Sequence, residues 1–219
     1  MNIKVNGVDL YYEQAGSGTQ VILLHGNGES SRIFDVLISQ LKKDHAVYAI
    51  DSRGHGQSQP VNDFDYESMM ADVAAFIRQS GLEKPALYGF SDGGIIGLLL
   101  AMKHPDLLSK LIVSGANLDP RGVKTTWYWF FKMIYFFKGG KLLRMMLTQP
   151  HIQPDDLKKI QVPVLVLAGS KDMIRRAHTE TIARHIPNAQ LQILANENHS
   201  SYVTHSEKLY FVIKPFLEL

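Results

Sequence analysis

One feature limits what this 219-residue chain can fold into more than any other. Short apolar runs alternate with stretches of helical spacing along nearly its whole length. Residues 21–24, 46–50, 86–90, 111–114, 164–168 and 191–194 read as strands. Val21, Ile22, Leu23 and Leu24 are apolar without a polar break, as in a strand buried on both faces. Between them, residues 30–43 place Phe34, Leu37, Ile38 and Leu41 on one helical stripe. Residues 66–80 read as a helix closed by Gly81, and 92–103, 179–185 and 206–217 as further helices. A strand-helix-strand rhythm of this kind predicts an α/β fold, a mostly parallel sheet with helices on both faces. The opening residues 3–13 differ. Asn6-Gly7 between two alternating runs predicts a hairpin, and so an antiparallel pair at one sheet edge.

Residues 117–160 break the rhythm, with no clear strand. From Trp127 to Phe137, eight of eleven residues are aromatic, against 21 in the whole chain. A crossover helix has no need of that many, so residues 117–150 are expected to be a cap inserted over one end of the sheet of a single domain, 1–219. Three uses are open to it. The preferred one is a helix whose aromatics close over a pocket, with Trp127, Phe130, Phe131 and Ile134 as candidate substrate contacts. The second is an interfacial helix on a membrane, flanked by Lys124, Lys132, Lys138, Lys141 and Arg144. The third is a dimer interface.

Composition narrows the function by exclusion. A net charge of +2, with no basic run of five or more, argues against nucleic acid. The absence of cysteine rules out disulfides, thiolate zinc sites, iron–sulfur clusters and a cysteine nucleophile. No metal and no cofactor is expected, and the partner is a small-molecule substrate. Met1 leads straight into a strand pattern and no apolar run approaches the roughly 20 residues of a spanning helix, so a cytoplasmic location is expected. Oligomeric state is left open.

The string Gly89-Phe90-Ser91-Asp92-Gly93-Gly94 carries the chemistry. It has the G-x-S-x-G spacing and lies between a predicted strand and a predicted helix, which is the context that spacing requires. A sharp turn there exposes the Ser91 hydroxyl above the sheet and leaves room only for glycine on either side. The helix that follows aims its first amides at any charge developing nearby. Directly after residues 21–24 comes His25-Gly26-Asn27-Gly28, a second glycine-rich turn at a strand end. An acyl-transfer intermediate needs two oriented N–H donors, and the backbone amides of Asn27 and Asp92 are the candidates. The continuation Glu29-Ser30-Ser31 fits neither a dinucleotide nor a P-loop pattern.

A serine needs a base, and the base an orienting acid. His199 lies in the polar loop Asn196-Glu197-Asn198-His199-Ser200 after the last predicted strand, with His205 as its alternative. Asp172 follows the strand 164–168 through Gly169-Ser170-Lys171, with Asp119 as the alternative. Strand carboxyl ends are where sites of this architecture collect. The Asp92 side chain has two readings. In one it points away and only its amide matters. In the other its carboxylate borders the site and favours a substrate ammonium.

With these residues in place, the chain resembles the α/β-hydrolase superfamily over essentially its whole length. The order nucleophile, acid, histidine matches, as do the turn His25 to Gly28 and the string Asp51-Ser52-Arg53-Gly54-His55-Gly56-Gln57-Ser58, which resembles a D-x-R-G-x-G-x-S loop. We read that loop as a brace for the site. The resemblance implies an eight-stranded sheet in the order 1-2-4-3-5-6-7-8 and a cap smaller than the four or five helices common in the family, so either an open pocket or a lid made by one aromatic helix. It implies ester or thioester hydrolysis through Ser91, His199 and Asp172. A serine at position 91 argues against epoxide hydrolases and haloalkane dehalogenases, which carry a carboxylate there. Carbon–carbon hydrolysis, lyase chemistry and a silent ligand-binding role remain open.

Overall fold

The computed structural model describes all residues, Met1–Leu219. Strands β1 (Asn2–Val5) and β2 (Val8–Ala15) form the hairpin. Its turn puts Asn6 and Gly7 at φ 47° and 80°, the left-handed pair that a two-residue hairpin demands. Then follow β3 (Thr19–Leu24), α1 (Asp35–Leu41), β4 (His45–Ile50), α2 (Tyr66–Gln79), β5 (Ala86–Phe90), α3 (Asp92–Lys103) and β6 (Lys110–Ser114). After β6 come α4 (Thr125–Lys138) and α5 (Lys141–Thr148). The chain closes with β7 (Val164–Gly169), α6 (Arg176–His185), β8 (Ala189–Leu194) and α7 (Lys208–Leu217).

The eight strands make one sheet in the order β1-β2-β4-β3-β5-β6-β7-β8, as the resemblance implies. β3 to β8 run parallel, and β2 is antiparallel to β4. The chain order reverses at β3, which pairs with both β4 and β5. Sheets of this kind open a crevice at that reversal, beyond the strand carboxyl ends. β3 also shows why its sequence has no polar break. Ile22 and Leu24 pack into the core under α2 and α3, while Val21 and Leu23 pack into the core under α1 and α7.

Helix α3 is buried on every side from Asp92 to Ala101, which suits a helix apolar all round. Gly97 lets it close onto the sheet, since a Cβ there would stand 2.8 Å from Leu111 Cδ1.

Three expectations need correction. The stretch 30–43 opens with a 3-10 turn, Ser31–Phe34, and only then becomes α1. The terminal helix starts at Lys208 and holds Pro215 in its last turn. The insertion is two helices rather than one aromatic helix. Gly139 and Gly140, at φ 64° and 113°, take backbone conformations that a continuing helix cannot.

Candidate active site

Ser91 stands at the turn from β5 into α3 with φ 53° and ψ −113°, a conformation non-glycine residues rarely adopt. The turn is over-determined by its surroundings. Ser91 N–H donates to the Ser114 carbonyl at 2.7 Å, and the Ser91 carbonyl accepts from Gly94 and Ile95. The flanking glycines are there because nothing larger fits. A Cβ at Gly89 would lie 2.2 Å from the Gly93 carbonyl oxygen, and one at Gly93 would lie 2.3 Å from that of Leu24.

Two loops converge on this serine from the ends of β7 and β8. His199, after β8, places Nε2 3.0 Å from Ser91 Oγ. Its Nδ1 lies 2.7 Å from Oδ1 of Asp172, after β7. Asp172 is buried, and the same oxygen accepts the Ile174 N–H at 2.8 Å. The His199 ring rests against Phe90, with centroids 4.9 Å apart. The alternatives are engaged elsewhere. His205 is exposed against Asp35, and Asp119 accepts from the Arg121 side chain and amide.

The turn after β3 completes one wall. The Gly93 N–H donates to the His25 carbonyl, which ties this turn to the start of α3. Asn27 and Asp92 both border the cleft, and neither backbone amide has a protein acceptor. Asp92 turns its carboxylate under the turn. It accepts from Asn27 Nδ2 at 2.9 Å and from the Tyr66 hydroxyl at 2.7 Å. Both partners are neutral, and burial pushes the Asp92 carboxyl above its ordinary range. Glu29 accepts the Gly26 N–H at 3.0 Å and also borders the cleft, its carboxyl raised by burial. Sequence reasoning assigned no role to Tyr66 or Glu29. One reads as the first residue of an amphipathic helix and the other as part of a turn, and neither carries a spacing signal.

The string 51–58 is a brace, as read. Asp51 accepts from the Ser31 and Gln57 amides, and Arg53 grips Asp72 of α2 through two contacts of 2.6 Å. His25 joins the same brace. Its Nδ1–H donates to the Gly26 carbonyl, which leaves Nε2 to accept the Ser52 N–H at 3.0 Å. Burial lowers its pKa from 6.5 to about 4. Between those pH values the unfolded chain binds a proton that the native ring refuses, so stability falls as pH drops through that window. The expected loss is about 3 kcal/mol by pH 4. Urea unfolding of the wild type and His25→Gln from pH 7.5 to 4 checks this, since the variant should lack this component of the pH dependence.

The cleft above Ser91 holds about 250 Å³. Its apolar side comes from Phe131 of α4, Leu143 and Met146 of α5, and the loop residues Val123, Met173 and Ile174. Of the four aromatic-segment residues expected to contact substrate, only Phe131 borders the cleft. Trp127 and Phe130 are 44% and 45% exposed, and neither they nor Ile134 borders the cleft. The reason is helical geometry: one face of α4 turns inward, and a second helix supplies the rest of that side.

Comparison with known proteins agrees with the fold. A family model described as alpha/beta hydrolase fold matches residues 19–151. Serine hydrolase BPHL of Homo sapiens is 27% identical, over 99% of this chain and 85% of its own length. That alignment runs to 250 positions, longer than the chain, so the relative carries residues that are missing here. The pimeloyl-[acyl-carrier protein] methyl ester esterase of Neisseria meningitidis serogroup C is 27% identical, over 91% of this chain and 93% of its own. Among solved structures, the esterase EaEST from Exiguobacterium antarcticum superposes with a TM-score of 0.84 at 22% identity, covering 98% of this chain and 97% of that one.

Proposed function

This chain belongs to the α/β-hydrolase family, and from that premise we propose that it is a serine hydrolase cleaving small carboxylic esters or thioesters through an acyl-enzyme on Ser91. The observation that carries the reading is the unbroken relay from Ser91 Oγ through His199 to Asp172, at 3.0 and 2.7 Å, beside two amides with no acceptor. In this mechanism His199 Nε2 takes the hydroxyl proton as Ser91 Oγ attacks the carbonyl carbon. The oxygen gains the charge and is held by the Asn27 and Asp92 amides. The tetrahedral species collapses, His199 returns the proton to the departing alcohol or thiol, and the acyl group stays on Oγ. Water, deprotonated by His199, attacks that ester; the Oγ–acyl bond breaks, His199 returns the proton to Ser91 Oγ, and the acid leaves. Asp172 keeps the Nδ1–H tautomer in place and stabilises the imidazolium. The helices of the insertion 117–150 serve as a small cap. Names of the relatives support the ester class: one is a serine hydrolase, another a methyl ester esterase.

A fluorophosphonate probe tests the reading. Labelling of the wild type that is lost in Ser91→Ala is the expected result. No labelling between pH 6 and 9 assigns the fold to ligand binding instead. An ester panel run beside it separates ester hydrolysis from carbon–carbon cleavage or lyase chemistry on the same residues.

One observation favours a narrower substrate within this class. Glu29 borders the cleft, the Asp92 carboxyl lies buried behind Asn27, and the lining holds neither lysine nor arginine. Burial raises both, and neither is paired with a lysine or arginine of the protein. A substrate ammonium would supply a counter-charge, while an anionic substrate would add repulsion. In the same panel, Asp92→Asn should lose at least about tenfold more kcat/KM on aminoacyl esters than on neutral ones, a difference of about 1.4 kcal/mol. Equal losses on both remove the ammonium reading and leave Asp92 as a support for Asn27.

A further inference from the structure

Helix α4 presents a physical problem that the site does not solve. It has fourteen residues, eight of them aromatic, and none is buried. Of the ten exposed large hydrophobic residues in the protein, six lie between Trp127 and Phe137. Phe136 and Phe137 are 82% and 77% exposed, Trp129 59% and Met133 52%. They form a stripe rather than a scatter. Trp129, Met133 and Phe136 follow the i, i+4, i+7 rule, and Phe130 and Phe137 lie beside them. Apolar patches of this size are rarely left to water without purpose.

The charges around the stripe decide what covers it. Between Asp119 and Asp155 the chain has no acidic residue, and with Arg121 paired to Asp119, Lys124, Lys132, Lys138, Lys141 and Arg144 give five cations. Lys132 Nζ sits 4.8 Å above the Trp129 ring, so that an ammonium borders the apolar stripe. A second copy of this chain meeting the same face across a two-fold axis would bring five cations against five. An anionic surface is complementary instead, and it can also take up the side chains. The pattern of an aromatic face with lysines at its margin is that of a helix lying in a lipid interface.

We propose that α4, with the basic residues of α4 and α5, docks this protein onto an anionic lipid bilayer. The helix is about 21 Å long at 1.5 Å per residue and lies along the surface. Trp129, Phe130, Met133, Phe136 and Phe137 enter the headgroup region, while the lysines stay at the phosphates. The inward side of the same two helices lines the cleft through Phe131, Leu143 and Met146, so docking brings the cleft near the bilayer. Delivery of lipophilic esters from the membrane would follow, and that consequence alone rests on the hydrolase reading above.

The test measures binding rather than turnover, on full-length Ser91→Ala protein, so that it stands or falls independently of catalysis. Flotation with vesicles of phosphatidylcholine alone, and with 30% phosphatidylglycerol, is the measurement. Binding at least tenfold tighter to the anionic vesicles, weakened by 0.5 M salt, is expected, with a blue shift of tryptophan emission. Basic residues near such a surface contribute about 1 kcal/mol each, or about fivefold. Combining Lys132→Gln, Lys138→Gln and Lys141→Gln should therefore cost about 100-fold. The triple change Trp129→Ser, Phe136→Ser and Phe137→Ser alters only exposed side chains and should abolish flotation with thermal melting unchanged. Failure of the parent protein to float with anionic vesicles overturns the proposal. A dimer on a sizing column that the serine variant turns into a monomer then assigns the face to a second copy.

Discussion

His199→Ala should lower kcat on any ester the protein accepts by about 10⁴–10⁶-fold, leaving only what binding and the two amides supply. The imidazole is the sole group within reach that can take the Ser91 proton, at 3.0 Å. A serine hydroxyl without a base is a poor nucleophile at neutral pH. Asp172→Asn should cost about 10⁴-fold, because an amide in that place favours the wrong imidazole tautomer. Combining Ser91→Ala with His199→Ala should add almost nothing to either alone, since the two act as one unit. Turnover of a neutral aryl ester, with a thermal melt of each variant to verify the fold, measures all three. Activity within tenfold of wild type in a folded His199→Ala protein would remove the mechanism.

The other large effect belongs to a residue with no side chain. Gly89→Ala puts a methyl group 2.2 Å from the Gly93 carbonyl oxygen and 2.7 Å from the Gly94 nitrogen. These are backbone atoms of the turn that holds Ser91, so no rotamer change relieves the contact. The turn must open, at a cost of about 3 kcal/mol. For a chain of this size that lowers Tm by about 6–12 °C. Displacing Ser91 from its partners by even about 1 Å should remove two or more orders of magnitude of activity. Gly115→Ala makes the informative contrast. Its Cβ would stand 2.7 Å from Cε1 and 2.9 Å from Nδ1 of His199, a side chain that can shift. There the expected loss is about 10²-fold in kcat, with a smaller fall in Tm from the left-handed backbone at φ 65°. Scanning calorimetry and steady-state kinetics on the two variants separate the outcomes. If Gly115→Ala melted lower than Gly89→Ala at wild-type activity, the contacts described for both turns would be wrong.

What the chain settles alone follows from periodicity and backbone chemistry. Unbroken apolar runs such as 21–24 can be satisfied only between two helical layers, and that is where β3 lies. Asn6-Gly7 dictates a hairpin because few other pairs tolerate two left-handed residues. The spacing Gly89-x-Ser91-x-Gly93 between strand and helix specifies the turn, for its glycines answer to contacts within a few residues and with β3. The placing of Ser91, Asp172 and His199 after β5, β7 and β8 was legible for the same local reason.

Other features are properties of the packed molecule. Tyr66 reaches Asp92 across 26 positions of chain, and Asp92 reaches Asn27 across 65. No periodicity encodes such a meeting, because it depends on how α2 and α3 lie on the sheet. Which aromatics of the insertion face the cleft was equally out of reach. An eleven-residue stretch with eight aromatics carries rings on every side of a helix, so its sequence contains no inward face to read. Only the placement of α4 on the body of the protein, with α5 beside it, selects Phe131 for the cleft and leaves Phe136 and Phe137 in solvent.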